Sequence, residues 1–539
     1  MARSVLGMAL LLSAGLSQGA GCGAAEPQAN GQSNVPVENG QLGSKAPEYL
    51  VLGPKTFADE LAPLLEHRKQ QGMQVAWRDV ESIYARRSSG QPSADALRAE
   101  IEEVAALPSS KLRFVLLAGD PTFDVPTFMK ASQVWAARNE EYPADHDFIA
   151  GAKRPIAIGR FPARSDREMA LFVEKTVRYE TAEKAGAWQR RTLIFGGPAE
   201  FGPMVDGIIE SQATSLLDQL LPYDYDVGVL FAKKDSPYAY RFDQLGRELV
   251  REINDGALIA VYAGHGLETS FDRTHFRGRG YSIGELGDLE TIDVAAGSPL
   301  FISLTCLTGD FGAPGGQRSV GETMLLRPHG PVAIFASSGV SHPYPNLLYA
   351  RALIESLLKD RAATVGDAVV QAKREMPEAS IPFASLLVPG DHVAIKASHL
   401  QLYNLLGDPA LRLRLPAELV VSLSEKTVLA GGVFEVNVQG AVPDAAFEAT
   451  LETERVSLKP GITPPATLDE MQLEEAFVAM SNNHRIANDK VLARQSGHFV
   501  DGRGKLSLTA PKAAGRYVVK VFSVADRGAA AGHVRLEVQ

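Results

Sequence analysis

The sequence predicts an α/β protein, two consecutive parallel-sheet units followed by an all-β sandwich, and three observations lead there. Short apolar strands alternate with amphipathic helical segments from Tyr49 to Glu180. Three near-continuous apolar runs, Leu258 to Ala263, Leu300 to Thr305 and Val332 to Ser337, have the texture of central parallel strands buried on both faces. After Leu413 the helices give way to short Val-rich strands separated by turn residues. A chain of 539 residues is also too long for one ordinary core.

Taken in order, residues 1–25 read as a secretory signal. Arg3 is followed by an apolar stretch from Val5 to Leu16 and by the small residues Gly19, Ala20 and Gly21. That stretch is too short to cross a bilayer, so export rather than a membrane-spanning anchor is expected. Cys22 stands where a bacterial lipoprotein carries its lipidated cysteine, although Gly19 occupies the place usually held by Leu; plain cleavage near Ala25 is the alternative. Residues 26–45 contain almost no large apolar side chain and read as a flexible tether.

The first α/β unit spans residues 46–188. Tyr49 to Leu52 forms a strand, Phe57, Leu61, Leu64 and Leu65 recur at helical spacing, and Gly72 ends that helix before a strand through Met73, Val75 and Trp77. Ser93 is placed to cap a helix over 94–106, and the strands Phe114 to Ala118 and Pro155 to Arg160 and the helix Asp166 to Glu180 complete the unit. The second unit, 189–415, has strands at Arg191 to Gly197 and Asp226 to Leu230, helices near 206–219, 241–253, 320–326 and 347–360, and the three strong apolar strands. The β region, 416–539, has strands at 419–423, 432–438, 455–458, 505–508 and 517–522, with Glu474 to Ile486 readable as a helix or a long loop.

Composition narrows function. Fifty-four basic against 64 acidic residues give a formal charge of −10, with no basic block able to follow a phosphate backbone, which argues against nucleic acid as a partner. The two cysteines are Cys22 and Cys306; once Cys22 is lipidated or removed, Cys306 is an unpaired thiol in an oxidising compartment. A buried cysteine acting as a small hydrophobe is the plain explanation. The alternative comes from its position. Ligands of open α/β sheets bind beyond the carboxyl ends of the strands, and that rule selects Gly264-His265-Gly266 after one strong strand and Cys306 after the next.

If those strands are adjacent and parallel, His265 and Cys306 emerge at one edge and can serve as general base and nucleophile of an acyl transfer. The backbone N–H groups of Gly266 and Cys306 would then form the oxyanion hole. Metal binding is the rival reading. The set His265, Asp272, His275 and Cys306 fits none of the compact zinc motifs, and HExxH is absent; a structural calcium on loop oxygens such as those of Asp272 or Asp310 is more plausible, with no recognisable calcium loop. The GxSxG elbow of serine hydrolases is absent, and Gly196-Gly197 lacks the dinucleotide fingerprint, which argues against a Rossmann cofactor; a Cys–His acyl transfer is expected to require no cofactor.

The segments Tyr262 to Thr269 (YAGHGLET) and Pro299 to Phe311 (PLFISLTCLTGDF) resemble those of the gingipain family of cysteine peptidases, relatives of the caspase and legumain group. Gly321-Glu322, Gly330 to Ser337, Leu405 to Arg412 (LLGDPALR), Leu117 to Asp120 and Ile156 to Pro162 extend the likeness over about residues 46–415. The resemblance implies two caspase-like subdomains and a C-terminal immunoglobulin-like module. It also implies a Cys306/His265 dyad hydrolysing peptide bonds through an acyl-enzyme, bound calcium, a protein or peptide substrate, and secretion or surface attachment, with outer-membrane attachment if Cys22 is lipidated. Thr305 departs from the Ala expected there, and its side chain is expected to point away from the cleft. The acids that would orient His265 or meet a basic substrate side chain are not identified by the resemblance; Glu200 and Asp206, and also Asp145 and Asp147, are candidates because they lie upstream in loops. A non-catalytic surface or secretion-associated binding protein on the same fold, or a transpeptidase resolving the acyl-enzyme with an amine, are the alternatives.

Overall fold

The structure, a computed structural model, describes residues 46–131, 141–198, 220–313, 316–381, 391–440, 445–526 and 528–539. The signal segment, the tether, Cys22, Glu200, Asp206 and the helix expected at 206–219 lie outside the described residues. None of the described helices is long and apolar enough to cross a membrane.

The alternating apolar runs become one ten-stranded sheet. Its order is Val75–Asp79, Tyr49–Gly53, Phe114–Ala118, Ala157–Phe161, Tyr403–Leu406, Ala333–Ser337, Leu300–Leu304, Ile259–Ala263, Arg191–Gly196 and Asp226–Phe231. The two expected parallel sheets are thus joined, and a short strand joins them. Tyr403–Leu406 runs parallel to Ala157–Phe161, with Leu406 opposite Arg160, and antiparallel to Ala333–Ser337. The two halves therefore run in opposite senses. The carboxyl ends of the second half share a rim with the amino ends of the first.

Strand residues alternate between two apolar layers, which is why the strands read as unbroken hydrophobic runs. Leu193, Phe195, Ala260, Tyr262, Phe301 and Ile334 pack in one layer, and Ile259, Val261, Ile302, Leu304 and Phe335 in the other. The helices present matching stripes: Ala58–Gln70 buries Leu61, Leu64 and Leu65, and Ser93 caps Ala94–Ala106 by accepting the Ala96 N–H at 3.2 Å. At the end of the second unit, Gly407 has φ +151° and a side chain there would meet the Ala333 Cβ at 2.5 Å, so the chain passes only as glycine. The following Asp408 accepts two hydrogen bonds from the buried Arg68 guanidinium, 3.0 and 2.7 Å.

The C-terminal region consists of two sheets around a core that includes Phe434, Val436, Phe447, Leu451, Val519, Val521 and Leu536. One expected strand is corrected. Arg455–Leu458 is a turn; Val456 and Leu458 are each 43% exposed, and the strand is Ala446–Thr453. Arg455 turns its guanidinium inward instead, donating to the carbonyls of Leu221, Pro222 and Tyr225. The ambiguous segment resolves as a helix, Leu473–Asn488, whose Phe477 packs against Phe276 and Tyr281 of the α/β region.

Candidate active site

The strand Ile259–Ala263 is the parallel neighbour of Leu300–Leu304, in a register that ends with Ala263 opposite Leu304. His265 and Cys306 each follow two residues beyond the last paired positions of these neighbouring strands. The two loops do touch: a Cβ on Gly266 would lie 2.7 and 2.9 Å from the Thr305 side chain and 2.9 Å from Thr308 Cγ2. Only a glycine allows the histidine loop to approach the cysteine loop this closely.

The histidine loop is fixed from below. Tyr262, fully buried at the penultimate strand position, donates its hydroxyl to the His265 carbonyl at 3.0 Å and accepts the Asp272 N–H at 3.3 Å. Beyond His265 the chain folds into a tight hairpin, Leu267 N–H donating to the Ser270 carbonyl at 2.9 Å. That bond makes Gly266 and Phe271 a non-hydrogen-bonded pair, so the Gly266 N–H is turned away from Phe271. The Val320 N–H closes on the Glu268 carbonyl at 2.7 Å and ties the hairpin to the helix Val320–Leu325.

The cysteine loop is a tight reversal. Leu307 has φ +60° and the Thr308 N–H reaches the Cys306 carbonyl at 2.7 Å, a γ-turn of the rare positive-φ kind. Such backbone strain is held by its surroundings. Here the Leu307 N–H donates to Gly339, the Gly309 N–H to Ser337, and the Ser303 and Thr308 hydroxyls lie 2.8 Å apart.

The thiol is half-buried, and its hydrogen bonds go to Ser341. The Ser341 N–H donates to Sγ at 3.3 Å and the thiol donates to the Ser341 carbonyl at 3.5 Å. Burial pushes the Cys306 thiol above its ordinary value, opposed by the Ser341 amide. Behind it, Asn346 Nδ2 donates to Ser341 Oγ at 3.0 Å and the Tyr403 hydroxyl donates to Asn346 Oδ1 at 2.7 Å. The joining strand is in this way hydrogen-bonded through to the residue that touches the thiol. Sequence reasoning missed Ser341, Asn346 and Tyr403.

Thr305, the residue before the cysteine, is buried. Its side chain lies against Gly266, 1% exposed, and its hydroxyl has no hydrogen-bond partner among the described residues. A buried unpaired hydroxyl costs roughly 1–3 kcal/mol. Thr305→Val keeps the shape and is expected to raise stability by about 1 kcal/mol, read as a higher urea midpoint with unchanged slope.

Asp145 and Asp147 already have partners. Asp145 is held by Arg160 at 2.7 and 2.8 Å, and Asp147 by Lys130 at 2.5 Å and by Gln401 at 3.1 Å. Among the described residues, the one group of three or more His, Cys, Asp or Glu side chains with metal-ligating geometry is Glu248, Glu252 and His484, whose carboxylates are paired with Arg251 and Arg191. Asp310 accepts the Gly312 N–H at 2.9 Å, and burial, with Glu322 and Glu268 nearby, pushes its carboxyl up to about 6.

An acid with a raised folded-state value stabilises the fold while protonated. For Asp310 that contribution is complete below about 4 and lost as pH rises through about 6, a change of about 3 kcal/mol at most. Asp310→Asn is expected to remove this decline. Urea unfolding at pH 4.5 and 7.5 should show the variant gaining on the parent chain at the higher pH.

The fold is thus an open, mostly parallel α/β sheet that brings a histidine loop and a cysteine loop into contact at adjacent strand ends. A family model described as peptidase family C25 matches residues 43–414, and the chain belongs to that family, the gingipains. It is 24% identical over 289 residues to gingipain R2 of Porphyromonas gingivalis strain W83, covering 51% of this chain and 34% of that protein. Against gingipain R1 of Porphyromonas gingivalis the identity is 23%, covering 51% and 25%. The chain therefore spans about a third or less of these relatives. The crystal structure of the Arg-specific cysteine proteinase gingipain R matches with a TM-score of 0.51 at 17% identity, covering 92% of this chain and 98% of that one. A complex of pro- and mature domains from Porphyromonas gingivalis matches with a TM-score of 0.51, also at 17% identity, covering 91% and 100%. These likenesses establish the fold.

Proposed function

We propose that the chain is an exported cysteine endopeptidase in which Cys306 is the nucleophile and His265 the general base and acid. The reading is supported by the parallel pairing of the two strands that lead into the histidine and cysteine loops, and by the close packing of those loops at Gly266 and Thr305. His265 takes the thiol proton as Sγ attacks the scissile carbonyl, and the acyl-enzyme forms as that proton passes to the leaving amine. The outward Gly266 N–H and the Cys306 N–H receive the oxyanion. Water, activated by His265, then releases the acyl group. Export follows from the signal-like residues 1–25, with lipidation of Cys22 as a further element; the C-terminal sandwich serves as an immunoglobulin-like brace, and calcium has no part in the chemical steps.

A second reading, a binding protein that retains the fold, is favoured by the bonding of Sγ to Ser341 and by the raised thiol value. Labelling with peptidyl acyloxymethyl ketones carrying basic, acidic or apolar side chains next to the reactive carbonyl separates the two. Covalent modification of Cys306, lost on His265→Ala, is expected for the peptidase; a thiol inert to all three probes would leave the binding protein. Product analysis with an added amine acceptor distinguishes hydrolysis from transpeptidation.

A further inference from the structure

A cavity of about 340 Å³ lies beside the strand that joins the two half-sheets, lined by neither Cys306 nor His265. Its charge is one-sided. Lys153, Arg154, Lys373 and Arg374 line it against a single acid, Asp145, which is already bound by both arms of Arg160. Its body is apolar, with Ile156, Ile158, Val369 and Leu405 among the walls.

Two polar groups among its walls are placed to meet an anion. Lys373 Nζ donates to the carbonyls of Leu400 at 2.7 Å and Tyr403 at 2.8 Å, which occupies two of its three N–H groups. His146 Nδ1 is buried with no hydrogen-bond partner among the described residues. Burial, together with the nearby Lys373 ammonium, holds His146 down to about 3, and burial pulls Lys373 down to about 7 against the attraction of Asp145 and Asp147. In the Nδ1-protonated tautomer the neutral imidazole is a donor, and it then offers an N–H beside the remaining N–H of Lys373. A buried imidazole nitrogen of this kind is costly to leave unpaired.

We propose that this cavity binds a small amphipathic carboxylate, the carboxylate seated between Lys373 and His146 and the apolar chain lying along Ile158 and Leu405. The volume sets the size, since about 340 Å³ at the ~30 Å³ that a water occupies in the liquid holds on the order of ten heavy atoms, the size of an eight-carbon chain acid. The exposed Arg154 and Arg374 at the mouth draw the anion in and screen with salt. The assignment is independent of whether Cys306 is a nucleophile.

Isothermal titration of the full chain with sodium octanoate tests it, with 1-octanol supplying the chain without the charge and acetate the charge without the chain. Saturable octanoate binding is expected, with both controls at least tenfold weaker. Lys373→Met and His146→Leu should each weaken octanoate at least tenfold; the second variant serves if the first disturbs the carbonyls of Leu400 and Tyr403. Octanol binding as tightly as octanoate, octanoate binding retained in a folded variant of either kind, or no saturable binding below about 10 mM would each overturn the assignment.

Discussion

Cys306→Ala is expected to abolish peptide cleavage, a loss of roughly 10⁴-fold or more, because a nucleophile and its base act as a unit and removing either removes nearly all of the covalent route. His265→Ala should bring nearly the same loss, and the double variant little more. The expected fold cost of Cys306→Ala is small: the side chain is only half-buried, and the Ser341 N–H loses a sulfur acceptor at 3.3 Å. The resting thiol is expected to be neutral, since burial pushes it above its ordinary value. Alkylation by iodoacetamide should therefore rise with a midpoint above the usual cysteine range, and His265→Ala should leave that midpoint in place while peptide turnover falls. A midpoint below neutrality that moves upward in His265→Ala would show instead a preformed ion pair, and cleavage surviving in Cys306→Ala would remove Cys306 from the chemistry.

What the sequence makes legible follows from how parallel strands are buried. Strands covered on both faces need no alternation of polar residues, so Leu300–Leu304 and Ile259–Ala263 are visible as runs, and the residues just beyond them mark the ligand-binding rim. Short or backbone-mediated features are not visible in this way. Tyr403–Leu406 is four residues long, and nothing in it announces that it bridges two half-sheets running in opposite senses. Ser341 makes its two shorter contacts with the thiol through its main-chain amide and carbonyl, which any residue would supply, and its hydroxyl adds a longer one at 3.9 Å. Tyr262 carried a usable signal, since a tyrosine in a buried strand has a hydroxyl that must find a partner; the partner is the His265 carbonyl. Residues 455–458 are strand-like in composition, yet Val456 and Leu458 are exposed and Arg455, whose guanidinium reaches the Tyr225 carbonyl, is the buried residue of the group.

Arg160→Met is expected to destabilise the chain by about 3–5 kcal/mol, the largest effect on stability of any single change considered, because it strands a buried charge. Arg160 is fully buried on the strand next to the joining strand, donates to both oxygens of Asp145 and to the carbonyls of Gly119 and Val125, each at 2.8 Å, and faces the Phe311 ring at 5.2 Å. Methionine fills much of the volume but leaves the Asp145 carboxylate and two carbonyls without those donors. The consequence reaches the candidate site through the segment that Asp145 holds in place. Pro143 packs where a side chain on Gly312 would be, 3.1 Å away, and Tyr142 lies against Gly339, whose carbonyl receives the Leu307 N–H of the strained cysteine turn. Arg160→Met should therefore slow the labelling of Cys306 as well as lower the unfolding midpoint. Pairing it with Asp145→Leu removes the stranded charge and should recover most of the lost stability, since an apolar pair of similar volume replaces a buried ion pair at little net cost. A double variant no more stable than Arg160→Met alone would show that the carbonyls of Gly119 and Val125, rather than Asp145, are what the guanidinium supports.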